Sequence, residues 1–120
     1  MLNIFSHCSS LTSVTIGNSV TSIEGNVFEH CKGLTSVTIG NSVTSIGNNA
    51  FYGCVSLTSV EIPNSVNSLG SGVFGSCSKL VTVTIPNSVT KIGEYAFKDC
   101  VRLSSLTLPE DIKIRERYTC

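Results

Sequence analysis

Five cysteines constrain this chain more than any other residues do. Cys8, Cys31, Cys54, Cys77 and Cys100 follow one another at a fixed interval of 23 residues. A constant period in the twenties is the mark of a solenoid, whose turns bury their apolar side only against the turns before and after them. The text around each cysteine repeats too. One copy runs Phe51-Tyr52-Gly53-Cys54-Val55-Ser56-Leu57-Thr58-Ser59-Val60-Glu61-Ile62-Pro63, and related copies lie on either side of it.

Laid in register, the copies form apolar columns. Leu11, Leu34, Leu57, Leu80 and Leu103 make the first, followed by Val14, Val37, Val60, Val83 and Leu106, then Ile16, Ile39, Ile62, Ile85 and Leu108. The last two columns alternate with polar residues and are mostly β-branched, which predicts a short strand with one buried face. Gly17, Gly40, Pro63, Pro86 and Pro109 come next. Glycine permits a turn and proline removes a ladder donor, so each ends its strand. A second segment carries Val20, Val43, Val66, Val89 and Ile112, then Ile23, Ile46, Leu69 and Ile92. That spacing of three suits either a short irregular strand or a 3₁₀ turn. Gly47, Gly70 and Gly93 after it are expected to take a left-handed corner. The first copy has Glu24-Gly25 there, so its corner is expected to shift by one residue. Phe5, Phe28, Phe51, Phe74 and Phe97 complete the unit and predict an aromatic stack along the middle of the coil.

One domain of 120 residues follows: a half-repeat 1–7, repeats 8–30, 31–53, 54–76 and 77–99, and an atypical terminal repeat 100–120. Beyond Pro109 the pattern fails; Ile112 keeps its column, and residues 110–117 alternate in charge like a polar closing strand. The opening in mid-repeat predicts an apolar N-terminal face inviting association with another turn or chain. Net charge is zero and 13% of residues are charged. Nothing here steers the chain toward nucleic acid or an anionic membrane. No apolar run approaches the roughly 18 residues of a spanning helix. Met1 to Phe5 has neither a basic start nor an extended apolar stretch, so no signal peptide is expected in this chain.

These residues resemble the BspA-like, or treponemal, type of leucine-rich repeat. The match is Leu80-x-x-Val83-x-Ile85-Pro86, then Ile92-Gly93-x-x-Ala96-Phe97-x-x-Cys100, and it extends over residues 4–112. Where ordinary leucine-rich repeats place an asparagine, this chain has Ser19, Ser42, Ser65 and Ser88. The resemblance implies a right-handed leucine-rich repeat coil with a parallel β-sheet on one face and short irregular or 3₁₀ segments elsewhere. It also implies a surface or secreted protein that attaches to host matrix proteins or other cells. The family has no catalytic motif, so the resemblance implies no site residue.

The six cysteines suggest disulfides at first sight, but equivalent residues of stacked turns point the same way, about 4.8 Å apart. A disulfide needs Cβ atoms converging to about 3.8 Å, which parallel side chains do not offer. Cys8 to Cys100 are therefore expected as buried thiols acting as small hydrophobes. Cys120 is out of register, is expected to be exposed, and could cross-link two chains. His7 and His30 share a column beside Glu29, and stacked rings would meet about 5 Å apart. Only two turns carry histidine there, so we expect no metal site, no cofactor and no catalytic constellation.

Two surfaces stand out instead. Ser13/Thr15, Ser36/Thr38, Ser59/Glu61, Thr82/Thr84 and Ser105/Thr107 make a hydroxyl face on the strands, broken once by Glu61. Around the Ala-Phe-x-x-Cys corner the copies differ, in the columns Asn3, Asn26, Asn49, Gly72, Tyr95 and Ser6, Glu29, Tyr52, Gly75, Lys98. Positions that differ between copies are expected to be free and solvent-facing. Tyr52, Glu61, Tyr95, Lys98 and Arg102 are the candidate partner-binding residues, four of them of types common at interface hot spots or able to pair charge. The expected function is a non-enzymatic protein-binding or adhesion module. A structural spacer or self-assembling unit is the alternative, and ice or polysaccharide binding through the hydroxyl face is a remote third.

Overall fold

Each 23-residue unit lays down one longer and one shorter strand, and both stack on their equivalents in the next unit. The computed structural model describes residues 5–109. In chain order the strands are β1 (Ser13–Ile16), β2 (Ser22–Ile23), β3 (Ser36–Ile39), β4 (Ser45–Ile46), β5 (Ser59–Glu61), β6 (Ser68–Leu69), β7 (Thr82–Thr84), β8 (Lys91–Ile92) and β9 (Ser105–Thr107). All pairing is parallel and keeps the 23-residue register, as in Ser13 opposite Ser36 and Ser59 opposite Thr82. The second segment thus forms a strand, not a 3₁₀ turn. Its two-residue strands build a continuous back ladder, β2-β4-β6-β8. No helix of any kind occurs among the described residues.

The front ladder is not continuous. β1 pairs with β3, and β5-β7-β9 form a separate sheet, with no ladder between β3 and β5. The seam falls where the strand-ending residue changes from Gly40 to Pro63. A proline has no N–H to close a last bridge onto the preceding turn, which shortens the strand by a residue. It does not break the ladder, since β5-β7-β9 pair with Pro86 and Pro109 in the same column. The strands before the change span four residues and those after it three. The loss extends upstream of the proline too. Thr35 N–H donates to Thr12 C=O at 2.9 Å and Val81 N–H to Thr58 C=O at 2.9 Å, while Thr58 makes no such bond to Thr35 among the described residues.

The core lies between the two ladders. Leu34, Leu57 and Leu80, the strand residues Val60 and Val83, and the back-ladder residues Ile46 and Leu69 are all buried. Five phenylalanine rings run down the middle as a near-parallel column, with centroids 5.5, 5.3, 5.5 and 5.8 Å apart and planes within 12°. Phe51 and Phe74 are fully buried. Phe5 heads the column at 39% exposure. It helps line an apolar depression of about 420 Å³ with Leu11, Val14, Val20 and Phe28, so the first described turn presents an apolar face.

The corners correct three expectations. Gly47, Gly70 and Gly93 do not have positive φ; the left-handed residues are His7, then Asn26 and His30, Asn49 and Gly53, Gly72 and Ser76, and Tyr95 and Asp99, two at each of the last four corners. What the three glycines permit is contact between turns. A Cβ on Gly70 would lie 2.5 Å from Asn48 N and from Gly47 C, and one on Gly93 would lie 2.3 Å from Ser71 N. Nor does the first corner shift: Gly47 N–H donates to Ile23 C=O as Gly70 N–H does to Ile46 C=O, both at 2.8 Å, so Glu24 occupies the glycine column in register. The third correction concerns the column Asn26, Asn49, Gly72, Tyr95. It is held at φ between 57° and 65°, which accounts for the asparagines and the glycine. Its residues vary among those that tolerate this backbone, and Tyr95 is the one that does so poorly. The charged segment 110–117, Ile112 and Cys120 lie outside the described residues.

Candidate functional site

The Phe-x-x-Cys stretch brings four thiols to the centre of the coil, where they do more than fill space. The thiol of Cys31 donates to the Phe5 carbonyl at 3.0 Å, Cys54 to Phe28 at 3.2 Å, Cys77 to Phe51 at 3.3 Å and Cys100 to Phe74 at 3.1 Å. Each bond crosses from one turn to the preceding one. Sequence gave no sign of it, because a cysteine in an apolar column is simply a small hydrophobe until the carbonyl opposite it is placed. Cys8 to Cys100 are all free thiols. Burial, reinforced by the charge a neighbouring Cys31 thiolate would carry, pushes Cys54 up to about 12. Burial also drives Cys77 well above the ordinary range and raises Cys31. These thiols hold their protons and are poor nucleophiles.

A pH dependence follows. In the unfolded chain the same thiols ionise near about 8.5. Their stabilising contribution is complete below that value. It declines as pH rises toward the folded values, because the unfolded chain then binds fewer protons than the native one. Each buried thiol is expected to remove up to about 1.4 kcal/mol of stability per pH unit in that window. Urea midpoints taken at about pH 8 and about pH 10.5 would measure the slope. A Cys54→Ala/Cys77→Ala chain should show a flatter slope; an equally steep one would remove the thiols as its cause.

The histidine rings of His7 and His30 stack at 5.0 Å, and Tyr52 meets His30 edge-on at 5.6 Å. Among the described residues no group of three or more His, Cys, Asp or Glu side chains is placed to hold a metal ion. The candidate residues at the corner divide into two groups. Tyr52 is half-buried, accepts a 3.4 Å hydrogen bond from the Ser76 hydroxyl and lies so close over Gly75 that a Cβ there would sit 2.7 Å from its ring. Tyr95 is 45% exposed, and Lys98 Nζ sits 4.9 Å from the centre of its ring. Lys98 and Arg102 are exposed. The structure therefore pairs Tyr95 with Lys98. Tyr52 is a turn-stacking ring in the column of Lys98, two turns earlier.

Tyr95 also has a cost. At φ 62° its Cβ is crowded against its own backbone, a strain that asparagine tolerates better. Tyr95→Asn is expected to raise stability by about 0.5 kcal/mol, the relief of strain outweighing the loss of an exposed cation–π contact of similar size. Thermal melts of the two chains would test this, and a lower Tm for the variant would contradict it.

Glu61 lies on another side of the coil, exposed at the end of β5. It borders two depressions on the strand face. One, of about 520 Å³, straddles the β3–β5 seam and is lined by residues such as Thr38, Ile39, Asn41, Ile62 and Asn64. The other, of about 540 Å³, continues over the next turns along Thr84, Ile85, Asn87, Thr107 and Leu108. They share Glu61, Ile62 and Asn64 and together form one trough along the coil axis. Threonines and Glu61 line one rim and exposed asparagines the other, while Ile39, Ile62 and Ile85 beneath the trough are buried in the core. The asparagine column is unchanged from Asn18 to Asn87, so inspecting the positions where these copies differ passes over it.

A family model for the BspA-type leucine-rich repeat region matches residues 2–119 in six copies. The chain belongs to the BspA-type leucine-rich repeat family. Among solved structures, the leucine-rich repeat protein TpLRR of T. pallidum is 39% identical, with a TM-score of 0.89 over 91% of this chain and 51% of that one. A leucine-rich repeat protein of Bacteroides ovatus is 36% identical, with a TM-score of 0.83 over 88% of this chain and 27% of that one. One from Eubacterium ventriosum is 32% identical, with a TM-score of 0.66 over 83% and 33%. This BspA-type chain thus spans about half the length of the first and about a quarter of the second. No curated protein matches it. The family supplies the fold and the general character of a repeat binding module, and it is typically non-enzymatic.

Proposed function

We propose that this chain is a non-enzymatic binding segment of a cell-surface or secreted protein, and that it holds a protein ligand such as a host matrix component or another cell's surface. The observation that carries this reading is the trough on the strand face, a concave surface lined by threonines, Glu61 and asparagines across four strands. Hydroxyl, amide and carboxylate side chains along it offer the direct hydrogen bonds that protein interfaces carry. Glu61 belongs to this surface. Tyr95, Lys98 and Arg102, with half-buried Tyr52, offer a second contact at the corner. Zero net charge argues against a nucleic-acid partner. Among the described residues no helix is long and apolar enough to cross a membrane.

Photo-crosslinking in a host-matrix extract tests the reading. A photoreactive amino acid in place of Thr38 or Thr84 should trap a partner protein, and the same group in place of Thr44 beside the back ladder should not. Equal trapping from the two faces, or none from the strand face, would refute it. A second reading, stacking of copies end to end, is favoured by the apolar depression beside Phe5. Light scattering across a concentration series decides that point: a mass that stays monomeric at high concentration removes it.

A further inference from the structure

Glu61 interrupts an otherwise uncharged surface. Its equivalents on the strand face are Thr15, Thr38, Thr84 and Thr107, paired in register along β1-β3 and β5-β7-β9. The carboxylate is exposed, and no described residue forms an ion pair with it. It stands where the two depressions join, above Ile62 and beside Asn64, so a ligand spanning the trough must pass it. The trough crosses four strands, from β3 to β9. At about 4.8 Å per turn this is about 14 Å, the length of roughly four residues of extended chain. Hydroxyl and amide side chains on the rims match the backbone donors and acceptors of such a chain.

We propose that the trough takes an extended segment of a partner protein running along the coil axis, with a lysine or arginine of that segment seated on the Glu61 carboxylate. The proposal rests on the strand face being the binding surface, and it adds the conformation and charge of what is bound. Charge complementarity identifies the occupant. An acidic segment would face Glu61 with like charge, and an apolar one would cover its carboxylate without a partner.

The test uses the isotope-labelled whole chain and two blocked pentapeptides, Thr-Val-Lys-Val-Thr and its counterpart with norleucine in place of lysine. Amide shifts should concentrate at Thr38, Glu61 and Thr84. The norleucine peptide should bind about fivefold more weakly at low salt, and high salt should erase the difference. Glu61→Gln should weaken the lysine peptide by the same factor while leaving the rest of the amide spectrum unchanged. Equal binding of the two peptides, an affinity indifferent to Glu61→Gln, or shifts confined to the Tyr95–Lys98 corner would overturn the proposal. So would strand-face shifts from a soluble cello-oligosaccharide with none from either peptide. If crosslinks from Thr38 to a matrix protein persist undiminished in a Glu61→Gln chain, the basic-segment proposal fails and the strand-face reading stands.

Discussion

Phe51→Ala is expected to lower the stability of the folded chain by about 3–5 kcal/mol, the range for deleting a buried aromatic ring that its surroundings cannot replace. The ring is fully buried, and its neighbours in the column are 5.3 Å away on one side and 5.5 Å on the other. Removing it takes away two stacking contacts at once. Collapse is hindered because each neighbouring ring is fixed by its own turn, whose backbone is bonded to the next at Phe28 N–H to Ala50 C=O and Phe51 N–H to Val73 C=O. For a chain whose whole stability is of order 5–15 kcal/mol this is a large fraction. Phe5→Ala is the comparison, since Phe5 sits at the head of the column and is 39% exposed. Urea unfolding followed by circular dichroism should show a clearly smaller loss for Phe5→Ala. Equal losses would mean that the column does not stabilise the coil through its interior. Because repeat proteins are coupled mainly between nearest neighbours, the Phe51→Ala transition should also broaden as its two halves begin to unfold separately.

Gly70→Ala is the second large effect, about 2–4 kcal/mol, although it adds a single methyl group. The new Cβ would meet Asn48 N and Gly47 C at 2.5 Å, backbone atoms of the preceding turn that cannot rotate aside. To admit it the turns must part, straining the bonds from Gly70 N–H to Ile46 C=O at 2.8 Å and from Ser71 N–H to Asn48 Oδ1 at 2.9 Å. Gly17→Ala provides the contrast. That glycine has no described atom within 4 Å of the added Cβ and φ outside the left-handed region, so the change should be neutral or slightly stabilising through reduced freedom in the unfolded chain. Matching unfolding curves for the two variants would show that contact between turns does not select the glycine column.

These two positions also show what the sequence discloses and what it withholds. Phe51 was legible because a fixed period and an invariant aromatic residue leave only the middle of the coil for it. Gly70 was legible as a special position, but for the wrong reason. A glycine needed for a left-handed corner and one needed for close approach look alike in sequence, and only the neighbouring turn separates them. The asparagines Asn26 and Asn49 carried the left-handed signal instead, hidden in a column that seemed merely variable. The second segment was ambiguous because apolar residues three apart fit a two-residue strand as well as a 3₁₀ turn. Glu61 stood out as an exception in a hydroxyl face. The trough beside it did not, because it is formed by successive turns that are distant in the chain.

The missing front ladder between β3 and β5 has a mechanical meaning. A pull along the coil axis meets a front ladder between β1 and β3 and again from β5 to β9, but none between β3 and β5. At that junction the load falls on the back ladder, the corner bonds, the Phe28–Phe51–Phe74 column and the thiol of Cys77 on Phe51. With resistance on one side only, the coil would open there as a hinge about its back edge before any other pair of turns separated. A protein tethered at both ends by such a segment would yield first between β3 and β5.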